Sequence, residues 1–153
     1  MNKTFWIAAG GTAGHINSAL VIGEELEKNG FNILYFTGKR PIDYKLYENK
    51  NVQHLDSQPL LGRTFPTLIK NLFLNLSVFI KVFFYALKYK PHGIIGCGGF
   101  ICGPTILAAK LNGSKTFILE QNSVMGFTNK ILSLIVDKIF ISIGIAYLAT
   151  FLL

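Results

Sequence analysis

The stretch Thr4-Phe5-Trp6-Ile7-Ala8-Ala9-Gly10-Gly11-Thr12-Ala13-Gly14-His15 decides the fold. It opens on an apolar run of strand length. A strand with one wet face would alternate, so this run is expected to be buried on both faces, as in a parallel sheet covered by helices. Glycines then let the chain turn sharply. A helical pattern follows over about 16–29 and stops at Lys28-Asn29-Gly30.

The same alternation continues outward. Strands are expected at 4–9, 32–37, 51–55, 93–97, 115–119 and 138–142, and helices at about 42–49, 67–89, 103–112 and 124–136, with Pro91 closing the longest. This pattern predicts an α/β fold, a Rossmann-like doubly wound parallel sheet with helices on both faces and no internal linker. The 153 residues suit one domain, and a 50% hydrophobic, 15% charged composition excludes a disordered chain. Cys97 and Cys102, the only cysteines, form neither a CxxC nor a zinc pattern, and a reducing compartment fits them best.

The net charge of +7 has a location. Residues 57–119 hold Arg63, Lys70, Lys81, Lys88, Lys90, Lys110 and Lys115 and no acidic side chain, which points to an anionic partner. Within that third, residues 68–89 read as a helix whose lysines Lys70, Lys81 and Lys88 fall within about 40° of one another at 100° per residue. The remaining surface is almost wholly apolar and includes Phe73 and Phe84. A core needs only part of so wide a face, so the surplus is expected to lie on an anionic membrane surface, the lysines reaching to headgroups. Lys81 interrupts the run, which argues against a span. No signal-peptide core precedes the first strand, so a cytoplasmic location is expected. Nucleic acid is not the expected partner, because the basic residues have no aromatic-interleaved polar face.

Two glycine-rich loops each follow an expected strand and precede an expected helix: Gly10 to His15, and Gly96-Cys97-Gly98-Gly99-Phe100-Ile101-Cys102-Gly103-Pro104. Their amides and the following helix N-termini suit a diphosphate. Thr12 and His15 break the G-x-G-x-x-G dinucleotide spacing, and no P-loop sequence occurs. His15 stands where an imidazole could exchange a proton with a bound hydroxyl or bind a phosphate.

These residues resemble the lipid-linked GlcNAc transferases of glycosyltransferase family 28. The first loop, with Ala19-Leu20 and Glu24-Glu25-Leu26, resembles that family's opening G-G-T-G-G-H loop and helix. The second resembles its G-x-G-G-[YF]-x-S-x-P segment, and Glu120-Gln121-Asn122 with Gly126-Phe127-Thr128-Asn129-Lys130 its H-E-Q-N-x-x-x-G-x-[TA]-N-[KR] segment. The resemblance implies the N-terminal, acceptor-side half of a two-domain GT-B enzyme. Such an enzyme is inverting and needs no metal or cofactor. It moves GlcNAc from UDP-GlcNAc to undecaprenyl-diphosphate-linked muramoyl-pentapeptide, from the cytoplasmic face of the membrane. It assigns His15 and Glu120 to catalysis, and Thr12, Ala13, Gly14 and Asn122 to the donor. The resemblance implies that the two glycine loops, with Gly98, Gly99 and Gly103 on the second, cradle the acceptor diphosphate. It also implies a membrane patch, for which Lys70, Phe73, Lys81, Phe84 and Lys88 are the expected residues.

Four departures stand out. Ala13 replaces a glycine, Ser18 a proline, Leu119 a histidine, and Cys102 a serine whose hydroxyl is expected to serve the phosphate. The resemblance runs from about residue 4 to residue 142, within a domain expected over 1–142; residues 143–153 are expected to be a truncated apolar tail, with the donor domain missing or supplied by a separate chain and the half inactive alone. Two other readings are a non-catalytic module holding a polyprenyl-diphosphate lipid and the membrane-side half of a two-subunit GlcNAc transferase. Glu120-Gln121-Asn122 argues for the peptidoglycan version.

Overall fold

Six parallel strands in the order β3-β2-β1-β4-β5-β6 make one sheet in the computed structural model, which describes residues 3–141. The strands are β1 (Thr4–Ala9), β2 (Asn32–Thr37), β3 (Val52–His54), β4 (Gly93–Gly98), β5 (Lys115–Glu120) and β6 (Lys138–Ile141). The helices are α1 (Ala13–Lys28), α2 (Pro41–Leu46), α3 (Phe65–Tyr89), α4 (Cys102–Leu111) and α5 (Phe127–Leu132). Strand order reverses between β1 and β4, which makes that gap the switch point of the sheet. The expected doubly wound α/β sheet is the fold observed. The expected tail at 143–153 lies outside the described residues.

Side chains alternate between the two faces of β1 and divide the core. Trp6 and Ala8 join Phe36, Val78, Val82, Ala86, Ile94 and Ile106 beneath α3 and α4. Ile7 and Ala9 join Ile16, Ala19, Ile33, Tyr35 and Tyr47 beneath α1 and α2. Trp6 and Phe36 meet edge to face with centroids 4.9 Å apart, a geometry aromatic pairs favour. Gly23 of α1 is required by that second core, since a Cβ there would overlap the Tyr35 hydroxyl.

Two expectations need correcting. The helix expected over 124–136 is confined to Phe127–Leu132, because residues 121–126 are bound into a loop described below. β6 is an edge strand with all four residues exposed, unlike the buried inner strands, so its apolar run does not report burial on both faces. Elsewhere the signals hold locally. Gly30 adopts φ +83° after the α1 cap at Asn29, and Lys90 is left-handed before Pro91 at the end of α3.

Candidate functional site

The two glycine loops leave the carboxyl ends of adjacent strands and touch. Gly10 N–H donates to Gly98 O at 3.2 Å. Gly99, at φ +92°, lies so close to the first loop that a Cβ on it would sit 2.5 Å from Gly10 O. Gly98, at φ +114°, leaves room for the His15 ring, which a Cβ there would meet at 2.5 Å. Any larger residue at either position drives the loops apart.

His15 is half-buried on the first turn of α1. Its Nδ1 lies 3.4 Å from Gly10 O, which only accepts, so this contact favours the proton on Nδ1 and leaves Nε2 as the basic nitrogen. Thr12 caps the helix by accepting the His15 N–H on its hydroxyl at 3.4 Å. The Gly11 N–H is taken by Asp43 Oδ1 at 2.9 Å. The amides of Thr12, Ala13 and Gly14, all exposed, meet no protein acceptor among the described residues. An anion arriving there meets three free N–H groups at the positive end of a 16-residue helix.

Cys102 faces inward. Its thiol is fully buried, accepts the Gly98 N–H at 3.3 Å and donates to Ala8 O at 3.2 Å. Burial pushes this thiol up to about 12, so it stays protonated as that donor. The expected loss of a phosphate-binding hydroxyl is therefore corrected: the side chain here staples the second loop to β1 and does not reach the cleft. Gly103 lies in the first turn of α4, where a Cβ would make only an ordinary contact with Thr128 of α5 at 3.8 Å, so the packing does not demand a glycine there.

Glu120 ends β5 and is 3% exposed. Oε1 accepts from the Asn122 backbone at 3.0 Å and from Asn122 Nδ2 at 2.9 Å; Oε2 accepts from Gly126 N at 3.1 Å and Asn129 Nδ2 at 3.0 Å. Burial alone raises a carboxyl pKa, and here four hydrogen bonds to the charged form outweigh it, so Glu120 lies below its ordinary value. A carboxylate so occupied positions its neighbours. It turns Asn122, exposed at the cleft, by the side-chain N–H and leaves the Asn122 carbonyl oxygen free. Gln121 ties the same loop to Cys97 O of β4 at 2.8 Å.

Asp43 and Arg40 escape the sequence reading. Asp43 is completely buried under the first loop, where its carboxylate accepts from Gly11 N, Thr37 Oγ1 and Arg40 N, each at 2.9 Å. The local signal is a Pro at the first helical position with an acid two residues on, a helix-start pattern that does not say which loop the acid will hold.

The long helix α3 stands over the sheet on the Trp6 side. Its buried apolar residues, Val78, Val82 and Ala86, all belong to its second half. Asn71 and Asn75, the two breaks in its apolar surface, hold the preceding loop: Asn71 Nδ2 donates to Pro59 O at 2.7 Å, and Asn75 Oδ1 accepts from Ser57 Oγ at 2.7 Å. Residues 65–77 rise roughly 20 Å, at 1.5 Å per residue, on the side of the carboxyl ends of the strands. There Phe65, Leu72 and Phe73 are 75%, 57% and 67% exposed. Phe84 is exposed further along, and Lys81 and Lys88 lie against the Tyr85 and Tyr89 rings. The helix is long and apolar enough to cross a membrane by length and composition. Not all the central cations join this face: Lys110 pairs with Asp137 at 2.7 Å.

Two touching glycine loops, a capped helix N-terminus and an adjacent imidazole at the switch point define a Rossmann-like α/β domain with a cleft of the kind that seats ligands in open parallel sheets. Residues 5–141 match the glycosyltransferase family 28 N-terminal domain, and the chain belongs to that family. The particular protein it resembles is MurG. The crystal structure of Acinetobacter baumannii MurG superposes with a TM-score of 0.79 at 27% identity, over 93% of this chain and 42% of that one. A UDP-N-acetylglucosamine--N-acetylmuramyl-(pentapeptide) pyrophosphoryl-undecaprenol N-acetylglucosamine transferase of Myxococcus xanthus (strain DK1622) is 37% identical over 140 residues, 89% of this chain and 37% of its own length. The protein of the same name from Bacillus subtilis (strain 168) is 33% identical over 137 residues, 87% of this chain and 38% of its own. The chain thus spans about two fifths of the length of the curated relatives it matches. A putative UDP-N-acetylglucosamine 2-epimerase from Listeria monocytogenes, at 14% identity and TM-score 0.64, shares the fold alone.

Proposed function

We propose that this chain is the acceptor-side half of an inverting transferase that moves GlcNAc from UDP-GlcNAc to an undecaprenyl-diphosphate-linked muramoyl-pentapeptide. The observation that carries this reading is the contact between the two glycine loops beside His15 at the switch point. His15 Nε2 takes the proton of the attacking sugar hydroxyl as its oxygen bonds to the anomeric carbon and UDP departs from the opposite side. The two touching glycine loops, with Gly98 and Gly99 on the second, together seat the acceptor diphosphate, while the free amides of Thr12, Ala13 and Gly14, with Asn122, also face the donor sugar nucleotide. Glu120 acts through Asn122 and is a positioning residue. The reaction uses no cofactor or metal, and a second domain, in the same polypeptide or a separate one, supplies the remaining donor contacts.

The half works at the cytoplasmic membrane surface. α3 lies on the bilayer rather than across it, with Lys70, Lys81 and Lys88 toward anionic headgroups and Phe73 and Phe84 toward the acyl boundary. Its exposed first half lies on the side where the glycine loops open, which supports a lipid tail and its diphosphate being held together.

The test is transfer of labelled GlcNAc to the lipid-linked acceptor by this chain combined with the donor-side half of the Myxococcus xanthus relative. Turnover that requires both parts and is lost in His15→Ala is expected. No turnover from the pair, while the intact relative works in the same assay, contradicts the reading.

A further inference from the structure

Arg40 carries a charge that the chain pins but does not neutralise. Its side chain is exposed at the turn between β2 and α2. Nη1 donates to Gly11 O at 3.3 Å, and the guanidinium carbon stands 5.8 Å from the centre of the Phe100 ring. These contacts belong to the first and second glycine loops respectively, so one guanidinium reaches across both. No described carboxylate pairs with it: the ion pairs of the described residues lie elsewhere, and Asp43, the nearest acid in sequence, accepts the Arg40 backbone N–H and spends its other oxygen on Gly11 and Thr37. An exposed arginine ordinarily keeps its rotamer freedom, and holding it over two amide-rich loops has an entropic cost that an anion in the gap would offset.

We propose that Arg40 is a diphosphate-binding residue of this cleft and that Asp43 is the positioning residue that sets it there. This rests on the reading that the glycine loops seat a diphosphate. The free amides of Thr12, Ala13 and Gly14 offer partial charges, whereas a diphosphate brings at least two full ones. Arg40 supplies the full cation, with N–H groups beyond the one held by Gly11 left to donate. Asp43 accepts the backbone N–H groups of both Gly11 and Arg40, which holds together the two residues joined by the Arg40–Gly11 O contact, and the next three amides stay open to the ligand.

The experiment is calorimetric titration of the whole chain with pyrophosphate, UDP-GlcNAc and geranylgeranyl diphosphate, with thermal unfolding of each variant in parallel. Arg40→Gln should weaken binding of at least one of these about tenfold, and Arg40→Lys about threefold, both with little change in Tm because the side chain is exposed. Asp43→Asn should give a loss of similar size, and adding Arg40→Gln to it should cost little more, as coupled residues do. A loss confined to UDP-GlcNAc assigns Arg40 to the donor; one confined to the isoprenyl ligand assigns it to the acceptor. Unchanged binding of all three ligands by both Arg40 variants overturns the proposal while leaving the diphosphate reading intact. Wild-type chain that binds none of the three overturns both. Should Asp43→Asn fail to fold, the Arg40 pair still decides.

Discussion

The cleft at the switch point and the outer face of α3 are built in opposite ways. The cleft is fixed by polar contacts of definite direction: Gly10 on Gly98, Asp43 on three donors, Glu120 on four. Among the described residues α3 is tied to the preceding loop by Asn71 and Asn75 and lends its Phe83 carbonyl to Asn112, while it presents Phe65, Leu72, Phe73 and Phe84 to solvent. A site that must place atoms to within a fraction of an ångström needs directional bonds. A surface that meets fluid lipid needs only area and charge. Single substitutions should therefore be severe in the cleft and graded on the helix.

The sharpest way to break that contrast is Gly99→Ala. A Cβ 2.5 Å from Gly10 O, on a backbone at φ +92°, should cost about 3 kcal/mol and abolish diphosphate binding, read by chemical unfolding and calorimetry. Mild behaviour there would mean that the loops are not locked together. His15→Ala should come next, lowering turnover of the reconstituted enzyme about a hundredfold with a smaller change in acceptor affinity. Loss of affinity without loss of turnover would make His15 a binding residue only.

Glu120→Gln should destabilise the chain by about 2 kcal/mol, since one accepting oxygen becomes an amide facing its former donors. It should also change the acid limb. The folded carboxyl titrates below its ordinary 4.5, so between the two values the unfolded chain holds more protons. Stability from Glu120 is complete above about pH 4.5 and falls as pH drops through the folded value. Unfolding scans from pH 6 to 2 should show a smaller acid loss in Glu120→Gln; an identical profile would mean that the four hydrogen bonds do not favour the charged form.

On the helix, Lys81→Glu and Lys88→Glu should each weaken partitioning onto anionic vesicles by about 1 kcal/mol or somewhat more, an effect that shrinks with salt. Equal binding to neutral and anionic vesicles would remove the electrostatic part of the account. Cys102→Ser should be the mildest change, within about 1 kcal/mol, because a hydroxyl can keep the bonds to Ala8 and Gly98.

The contrast also explains what could be read in the sequence. Apolar runs and glycine punctuation are local signals, so strand positions, the sheet class and the nearness of the two loops were all legible. His15 could be singled out from its place after a glycine loop, and the family resemblance carries Thr12, Ala13 and Gly14 with it because the motif is contiguous on one helix start. Asp43 was not legible, since its value depends on contact with Gly11, 32 residues away, and no local pattern encodes that distance. The resemblance assigns Glu120 to catalysis, yet its oxygens are claimed by Asn122, Gly126 and Asn129, which only the folded loop brings together. Cys102 looked like a defect at the ligand because the sequence does not give the direction of a side chain. For α3, composition was enough to foresee the exposed face, and the structure adds why Asn71 and Asn75 interrupt it.

The most direct measurement is amide hydrogen exchange of the chain with and without geranylgeranyl diphosphate. The account predicts protection of both 10–15 and 98–103 on ligand addition, with residues 124–141 unchanged. Protection confined to α3, or to neither loop, would contradict the claim that the two glycine loops together seat the diphosphate.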